Sequence, residues 1–84
     1  MTKAVIIEDE INGLANLQNL LAEHCESVEV IGTAGSVAEG YKLLSNSSIK
    51  PDVAFLDISL PDGLVFQLLN RLRPINFDII FVTA

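Results

Sequence analysis

The sequence predicts an α/β domain built on a parallel sheet, in the order β-α-β-α-β-α-β. Three observations carry this. Three short runs are apolar throughout and a fourth alternates; continuous apolar runs are the mark of strands covered on both faces. The segments between them repeat apolar residues at three- and four-residue spacing, the period of a helix with one buried face. Strict alternation of the two kinds of segment calls for right-handed crossovers between parallel strands. A βα pair takes about 25–30 residues, so the 84 residues hold three pairs and one further strand, in one domain spanning residues 1–84.

The first strand is Ala4-Val5-Ile6-Ile7. A helical pattern follows from Glu10 to Cys25, with Leu14, Leu17 and Leu21 on a core-facing stripe and Ile11 one turn earlier. Gly13 weakens its first turn by up to about 1 kcal/mol relative to Ala. The second strand, Val28-Glu29-Val30-Ile31, alternates as an edge strand does and closes at Gly32. Ser36-Val37-Ala38-Glu39 has the form of a capping box, in which serine and glutamate each satisfy a free backbone N–H. Val37, Tyr41 and Leu44 then form the inner face of the second helix, which stops at Ser45-Asn46-Ser47-Ser48. Pro51 leads into the third strand, Val53-Ala54-Phe55-Leu56. The third helix runs from Leu64 to Arg73 with Val65, Leu68, Leu69 and Leu72 inward; Arg71 and Arg73 favour its C-terminal dipole and Pro74 ends it. Ile79-Ile80-Phe81-Val82 is the fourth strand.

Composition excludes several classes. Half the residues are apolar and only 19% are charged, the opposite of a disordered chain. Five Lys/Arg stand against eleven Asp/Glu, a formal charge of −6, which disfavours direct binding to a phosphate backbone. No apolar run approaches the roughly 18 residues of a membrane span, and Met1-Thr2-Lys3 leads directly into a strand. Neither a signal peptide nor an anchor is expected. Cys25 stands alone and cannot form an internal disulfide, so a reducing cytoplasm is the expected setting.

The acidic residues gather at strand ends. Glu8, Asp9 and Glu10 follow the first strand directly, and Asp57 follows the third. The C-terminal ends of parallel strands lie on one edge of the sheet, where ligands bind. If the first and third strands are neighbours, Glu8, Asp9 and Asp57 converge. Carboxylates that close either shift their pKa values or share a cation, and oxygen donors without His or Cys suit Mg²⁺. Alone, an acid after a strand reads as a helix cap; two such places on one β/α pattern point to a site. Thr83 follows the fourth strand and adds a hydroxyl at the same edge. Ile58-Ser59-Leu60-Pro61-Asp62-Gly63 is a turn-forming loop, with Pro61 fixing φ and Gly63 permitting a positive one.

Three blocks carry a family resemblance: Val5-Ile6-Ile7-Glu8-Asp9-Glu10; Pro51-Asp52-Val53-Ala54-Phe55-Leu56-Asp57 with Pro61 shortly after; and Phe81-Val82-Thr83-Ala84. In this order and spacing the chain resembles the receiver domain of two-component response regulators, over essentially its whole length. Its style is similar to receivers that precede LytTR-type DNA-binding domains. The resemblance implies an incomplete flavodoxin-like fold with strand order 2-1-3-4. It implies that Asp57 is the phosphoacceptor and that Glu8 and Asp9 form the acidic pair, Asp9 binding Mg²⁺ directly and Glu8 largely through water. The backbone carbonyl of Ser59 would complete the coordination, and Thr83 would donate its hydroxyl to a phosphoryl oxygen. The implied phosphodonor is a sensor histidine kinase, and DNA would be reached only through an output domain absent from this chain.

Departures from the family pattern set further expectations. Relatives carry a lysine at the end of a fifth strand, before which this chain ends, and Lys3, Lys42 and Lys50 are not placed to replace it. Weak Mg²⁺ binding, poor phosphate acceptance by the fragment and self-association through the fourth-strand edge or its apolar face follow as expectations. Leu64-Val65 stands where relatives often have a further glycine. His24, Cys25, Arg71 and Arg73 are expected to be bland: a helix end, a small core-facing thiol and a solvated, dipole-favouring pair. Two other functions compete. A phosphorylation-independent interaction module would have no use for Glu8, Asp9 and Asp57 together. An aspartate-nucleophile Mg²⁺ phosphatase normally needs a second acid where Ser59 stands. A dinucleotide-binding domain lacks its glycine-rich turn after the first strand.

Overall fold

The computed structural model describes residues 1–82. Its elements are β1 (Thr2–Ile7), α1 (Ile11–His24), β2 (Val28–Ala34), α2 (Val37–Leu44), β3 (Val53–Asp57), β4 (Ser59–Leu60), β5 (Gly63–Leu64), α3 (Val65–Arg71) and β6 (Asp78–Val82). Four strands form one parallel sheet in the order β2-β1-β3-β6, and β4 pairs with β5 as a separate antiparallel hairpin. With β6 as the fourth main-sheet strand, this is the expected 2-1-3-4 order.

Two of the continuous apolar runs became buried central strands for the expected reason, whereas Ile79–Val82 lies in the edge strand β6 with none of its residues buried. Ala4, Val5, Ile6 and Ile7 are all completely buried, as are Ala54 and Leu56 of β3. On one face Val5, Ile7, Ala54 and Leu56 join Ala34, Val37, Leu60, Val65 and Leu68 in a single core. Removing a Leu, Ile or Val side chain from water contributes about 1.5–3 kcal/mol, so this layer fixes the pairing of β1 with β3. The register runs Ala4↔Val53, Val5↔Ala54, Ile6↔Phe55 and Ile7↔Leu56. Each following residue, Glu8 or Asp57, therefore emerges at the same edge.

Three of the free N–H groups at the start of α2, those of Val37, Ala38 and Glu39, have side-chain partners, and the Gly40 amide closes the first helical turn. Ser36 Oγ accepts from the Glu39 amide at 3.0 Å, and Ser36 O accepts from Gly40 at 2.8 Å. The Val37 and Ala38 amides donate to Asp62 Oδ1 and Oδ2 at 2.7 and 3.0 Å. Only half of the expected capping box forms, since the Glu39 carboxylate takes the Ser36 hydroxyl at 3.4 Å instead of a backbone N–H. At α3, Gln67 Oε1 reaches back to the Leu64 amide at 3.0 Å.

Several expectations are corrected. The second strand does not close at Gly32 but continues to Ala34, with Ile31 bulged between the Ala4↔Val30 and Val5↔Gly32 pairs. Gly32 belongs inside it because a Cβ there would meet Leu43 Cδ1 at 2.8 Å; its bare backbone is what lets α2 pack down. Ile11 is 84% exposed and leaves the apolar stripe, whereas Leu21 is buried and Leu14 and Leu17 are half-buried. The third helix is shorter than its pattern, with Leu64 and Leu72 as its caps. The loop after Asp57 is the β4–β5 hairpin, and Gly63 does take a positive φ, +147°. Arg71 and Arg73 are exposed at the end of α3 as expected; in addition the Arg71 guanidinium lies 3.9 Å over the Tyr41 ring, tying α3 to α2, and Arg73 donates to Asn70 Oδ1 at 3.1 Å. His24 is exposed beside Glu23 at 3.7 Å, and Cys25 is a half-buried free thiol. Ile80 and Phe81 of β6 are exposed, with Phe81 against Phe66 at 5.7 Å between ring centroids.

Candidate functional site

The ends of β1 and β3 bring Glu8, Asp9 and Asp57 together. One carboxylate oxygen from each lies within 4.8 Å of the other two. Asp57 is the last residue of β3 and pairs with Val82 across to β6. Glu8 prolongs β1 by donating its amide to Ala34 O at 2.9 Å, and its Oε1 accepts from the Glu10 amide at 3.2 Å. That carboxylate rests over the first turn of α1, where a Cβ on Gly13 would stand 3.2 Å from Oε1. Gly13, read from the sequence as a weak point of the helix, makes room for an acidic side chain.

Electrostatics follow from the crowding. Burial raises the Glu8 carboxyl above its ordinary value of 4.5, opposed by the Glu10 amide and reinforced by the neighbouring charges of Asp57 and Asp9 and by a hydrogen bond with Asp57. Among the described residues no lysine or arginine forms an ion pair with the cluster. Three hard oxygen donors, mutually repelling and without a cationic side chain, fit a small divalent cation that prefers oxygen ligands and keeps several waters. No polar side chain is buried among the described residues, and the cluster stands at an open edge with Asp9 exposed and Glu8 and Asp57 half-buried.

Ser59 is exposed at the start of β4, two residues beyond Asp57. Thr83 lies outside the described residues. Asp62, by sequence a turn residue, accepts the Val37 and Ala38 amides of α2, a tie that sequence reasoning does not reveal. Its partners, Val37 and Ala38, lie 25 and 24 residues earlier, and no local pattern links an Asp-Gly turn to a helix that far upstream. The amides of α2 hold the Asp62 carboxyl below its ordinary value of 3.8, Val37 contributing most and Ala38 next.

A four-stranded parallel sheet of order 2-1-3-4, flanked by helices and carrying three carboxylates at the tips of its two central strands, defines a receiver domain of the response-regulator class. Sequence and structure comparisons agree. The chain is 41% identical over 85 residues to an uncharacterized response regulatory protein of Vibrio cholerae serotype O1, covering all of this chain and 35% of that protein. It is 36% identical over 86 residues to the sensory transduction protein LytT of Bacillus cereus, covering all of this chain and 34% of LytT. Among solved structures it is similar to the MaeR response regulator bound to beryllium trifluoride, with a TM-score of 0.86 and 29% identity, over all of this chain and 68% of that one. No protein-family model matches the chain. It spans about a third of the length of the curated relatives it matches. By fold and by sequence similarity the chain is a response-regulator receiver.

Proposed function

We propose that the chain is the phosphoacceptor of a two-component system, taking a phosphoryl group from a sensor histidine kinase onto Asp57. The observation that carries this is the convergence of the Glu8, Asp9 and Asp57 carboxylates within 4.8 Å at one sheet edge. A carboxylate is a competent nucleophile toward phosphorus. An Asp57 oxygen forms the new O–P bond while the P–N bond of the phosphohistidine breaks. The electron pair returns to the imidazole nitrogen, which takes a proton from water. Glu8, Asp9 and Asp57 would hold Mg²⁺ together with the Ser59 carbonyl, and the ion, when bound, supplies charge neutralisation between the anionic nucleophile and the phosphoryl oxygens. Asp57 attacks, Asp9 and Glu8 set the local charge, and Thr83, by its place in the family pattern, would bond a phosphoryl oxygen. The acyl phosphate adds about −1.5 to −2 charge, enough to bias a surface between two arrangements.

The reading extends to a self-phosphorylating acceptor rather than a turnover enzyme, working in the cytoplasm. A DNA-binding output of the LytTR type is supported by the similarity to LytT. Self-association through β6 is supported by the exposure of Ile80 and Phe81, and light scattering at rising concentration tests it. Among the described residues no helix is long and apolar enough to cross a membrane. The decisive experiment is phosphoramidate labelling of the full-length protein with and without Mg²⁺. Mg²⁺-dependent labelling that disappears in Asp57→Asn supports the proposal; labelling that persists in Asp57→Asn overturns it.

A further inference from the structure

We infer that Asp62 is a positioning residue for the acidic site, fastening the tip of the β4–β5 hairpin to the start of α2 so that Asp57 and Ser59 are held facing Glu8 and Asp9. The inference rests on the phosphoacceptor reading of that cluster and assigns a determinant of its metal affinity.

The hairpin is too small to hold itself. Its strands have two residues each, and even longer isolated hairpins are marginal in water. Its base is closed by the Val65 amide on Ile58 O at 3.0 Å. Its tip is fixed by Asp62, whose two oxygens take the Val37 and Ala38 amides at 2.7 and 3.0 Å. Hydrogen bonds to an ionised acceptor are stronger than neutral ones, and the positive end of the α2 dipole favours the carboxylate.

These contacts close a ring around the cluster. Glu8 bonds Ala34 at the end of β2; three residues further on, α2 begins; its first amides grip Asp62; and Asp62 leads back through Ser59 to Asp57. Both carboxylate-bearing strands are thus joined a second time, outside the sheet, through one side chain. Groups that orient metal ligands typically change affinity 10–100-fold when removed. By linkage, cation binding must in turn alter the environment of the Val37 and Ala38 amides.

Ser36 supplies the control. Its hydroxyl caps the same helix end through the Glu39 amide at 3.0 Å and hydrogen-bonds only Glu39, not the hairpin. The test compares full-length parent, Asp62→Ala, Asp62→Asn, Ser36→Ala and Asp57→Asn by Mg²⁺ titration calorimetry, thermal unfolding and amide NMR. Asp62→Ala is expected to weaken Mg²⁺ binding about tenfold, with Asp62→Asn, which keeps one acceptor oxygen, in between. Ser36→Ala is expected to lower the unfolding temperature and leave Mg²⁺ affinity unchanged. In the parent, Mg²⁺ shifts the Val37 and Ala38 amide resonances; in Asp62→Ala it does not. If Asp62→Ala fails to fold, Asp62→Asn carries the comparison. Parental affinity in the Asp62 variants, or equal weakening in Ser36→Ala, overturns the inference while leaving the phosphoacceptor reading intact. A parent that does not bind Mg²⁺, or binds it equally as Asp57→Asn, overturns both.

Discussion

Gly40 of α2 crosses Leu68 of α3 so closely that a Cβ at position 40 would meet Leu68 Cδ2 at 2.8 Å and Ile7 Cδ1 at 3.4 Å. Two opposing effects act on Gly40→Ala. Alanine gains up to about 1 kcal/mol of helix propensity, while forcing a methyl into a packed layer costs about 1–3 kcal/mol. Leu68 is completely buried, and Ile7 crowds the same position from the other side, so the second effect is expected to win. Urea unfolding of Gly40→Ala is expected to show a net loss of about 1 kcal/mol; a variant as stable as the parent would show that the α2–α3 contact has slack.

Without a cation, the carboxylates at the ends of β1 and β3 oppose one another. Asp57→Asn removes one of the converging charges, so it is expected to raise the unfolding temperature in EDTA by a few degrees. The same variant loses the further stabilisation that Mg²⁺ gives the parent, since a ligand that binds only the folded state adds stability that grows with the logarithm of its concentration relative to Kd. Differential scanning calorimetry with EDTA and with Mg²⁺ reads both effects; a lower unfolding temperature in EDTA would contradict the repulsion argument.

Acid acts on Glu8 and Asp62 with opposite sign. Because the Glu8 carboxyl is raised above 4.5, the folded state holds that proton more tightly than the unfolded one. The stabilisation is present in acid and lost as pH rises through the raised value. Asp62, depressed below 3.8, contributes stability above that value that vanishes as pH falls through its lower one. In metal-free buffer, acidification from neutrality toward pH 4.5 should therefore favour folding through Glu8, and Glu8→Gln should flatten that limb. Below 3.8 stability should fall less in Asp62→Asn than in the parent. Guanidinium unfolding across this range checks both slopes.

At the hairpin tip, Gly63 has φ +147° and its added Cβ would collide with Gln67 Oε1. Gly63→Ala meets both obstacles and is expected to cost on the order of 1–3 kcal/mol. It should also release the Gln67 bond to the Leu64 amide. Thermal unfolding and hydrogen exchange at Leu64 are the measurements; unchanged exchange would show that Gln67 has another way to reach the helix start.

Much of this architecture was legible because it depends on local pattern. Ala4–Ile7 and Val53–Leu56 read as buried strands, and two such strands in parallel force Glu8 and Asp57 to one edge. Ile11 misled because the helical period says which residues share a face, not where the surface beneath that face stops. The first turn of α1 abuts the Glu8 carboxylate through Gly13, beyond the end of β1. Gly32 misled because a glycine that ends a strand and one that admits a neighbouring Leu43 look identical in sequence. The Asp62 tie was illegible because it joins segments 25 residues apart, and Tyr41 under Arg71 is non-local in the same way.

The β1–β3 register, Ile7 against Leu56, has an implication for how this domain tolerates insertions. Successive side chains on a strand face opposite sides, so one residue inserted between Val53 and Leu56 would send the following side chains to the other face of the sheet. Leu56 would be displaced from its place opposite Ile7, and Asp57 would be carried one step past Glu8 and Asp9. A residue added to the polar stretch Ser45–Lys50 leaves that pairing alone. Length variation in engineered versions therefore belongs in the connection before β3, never in the strand itself.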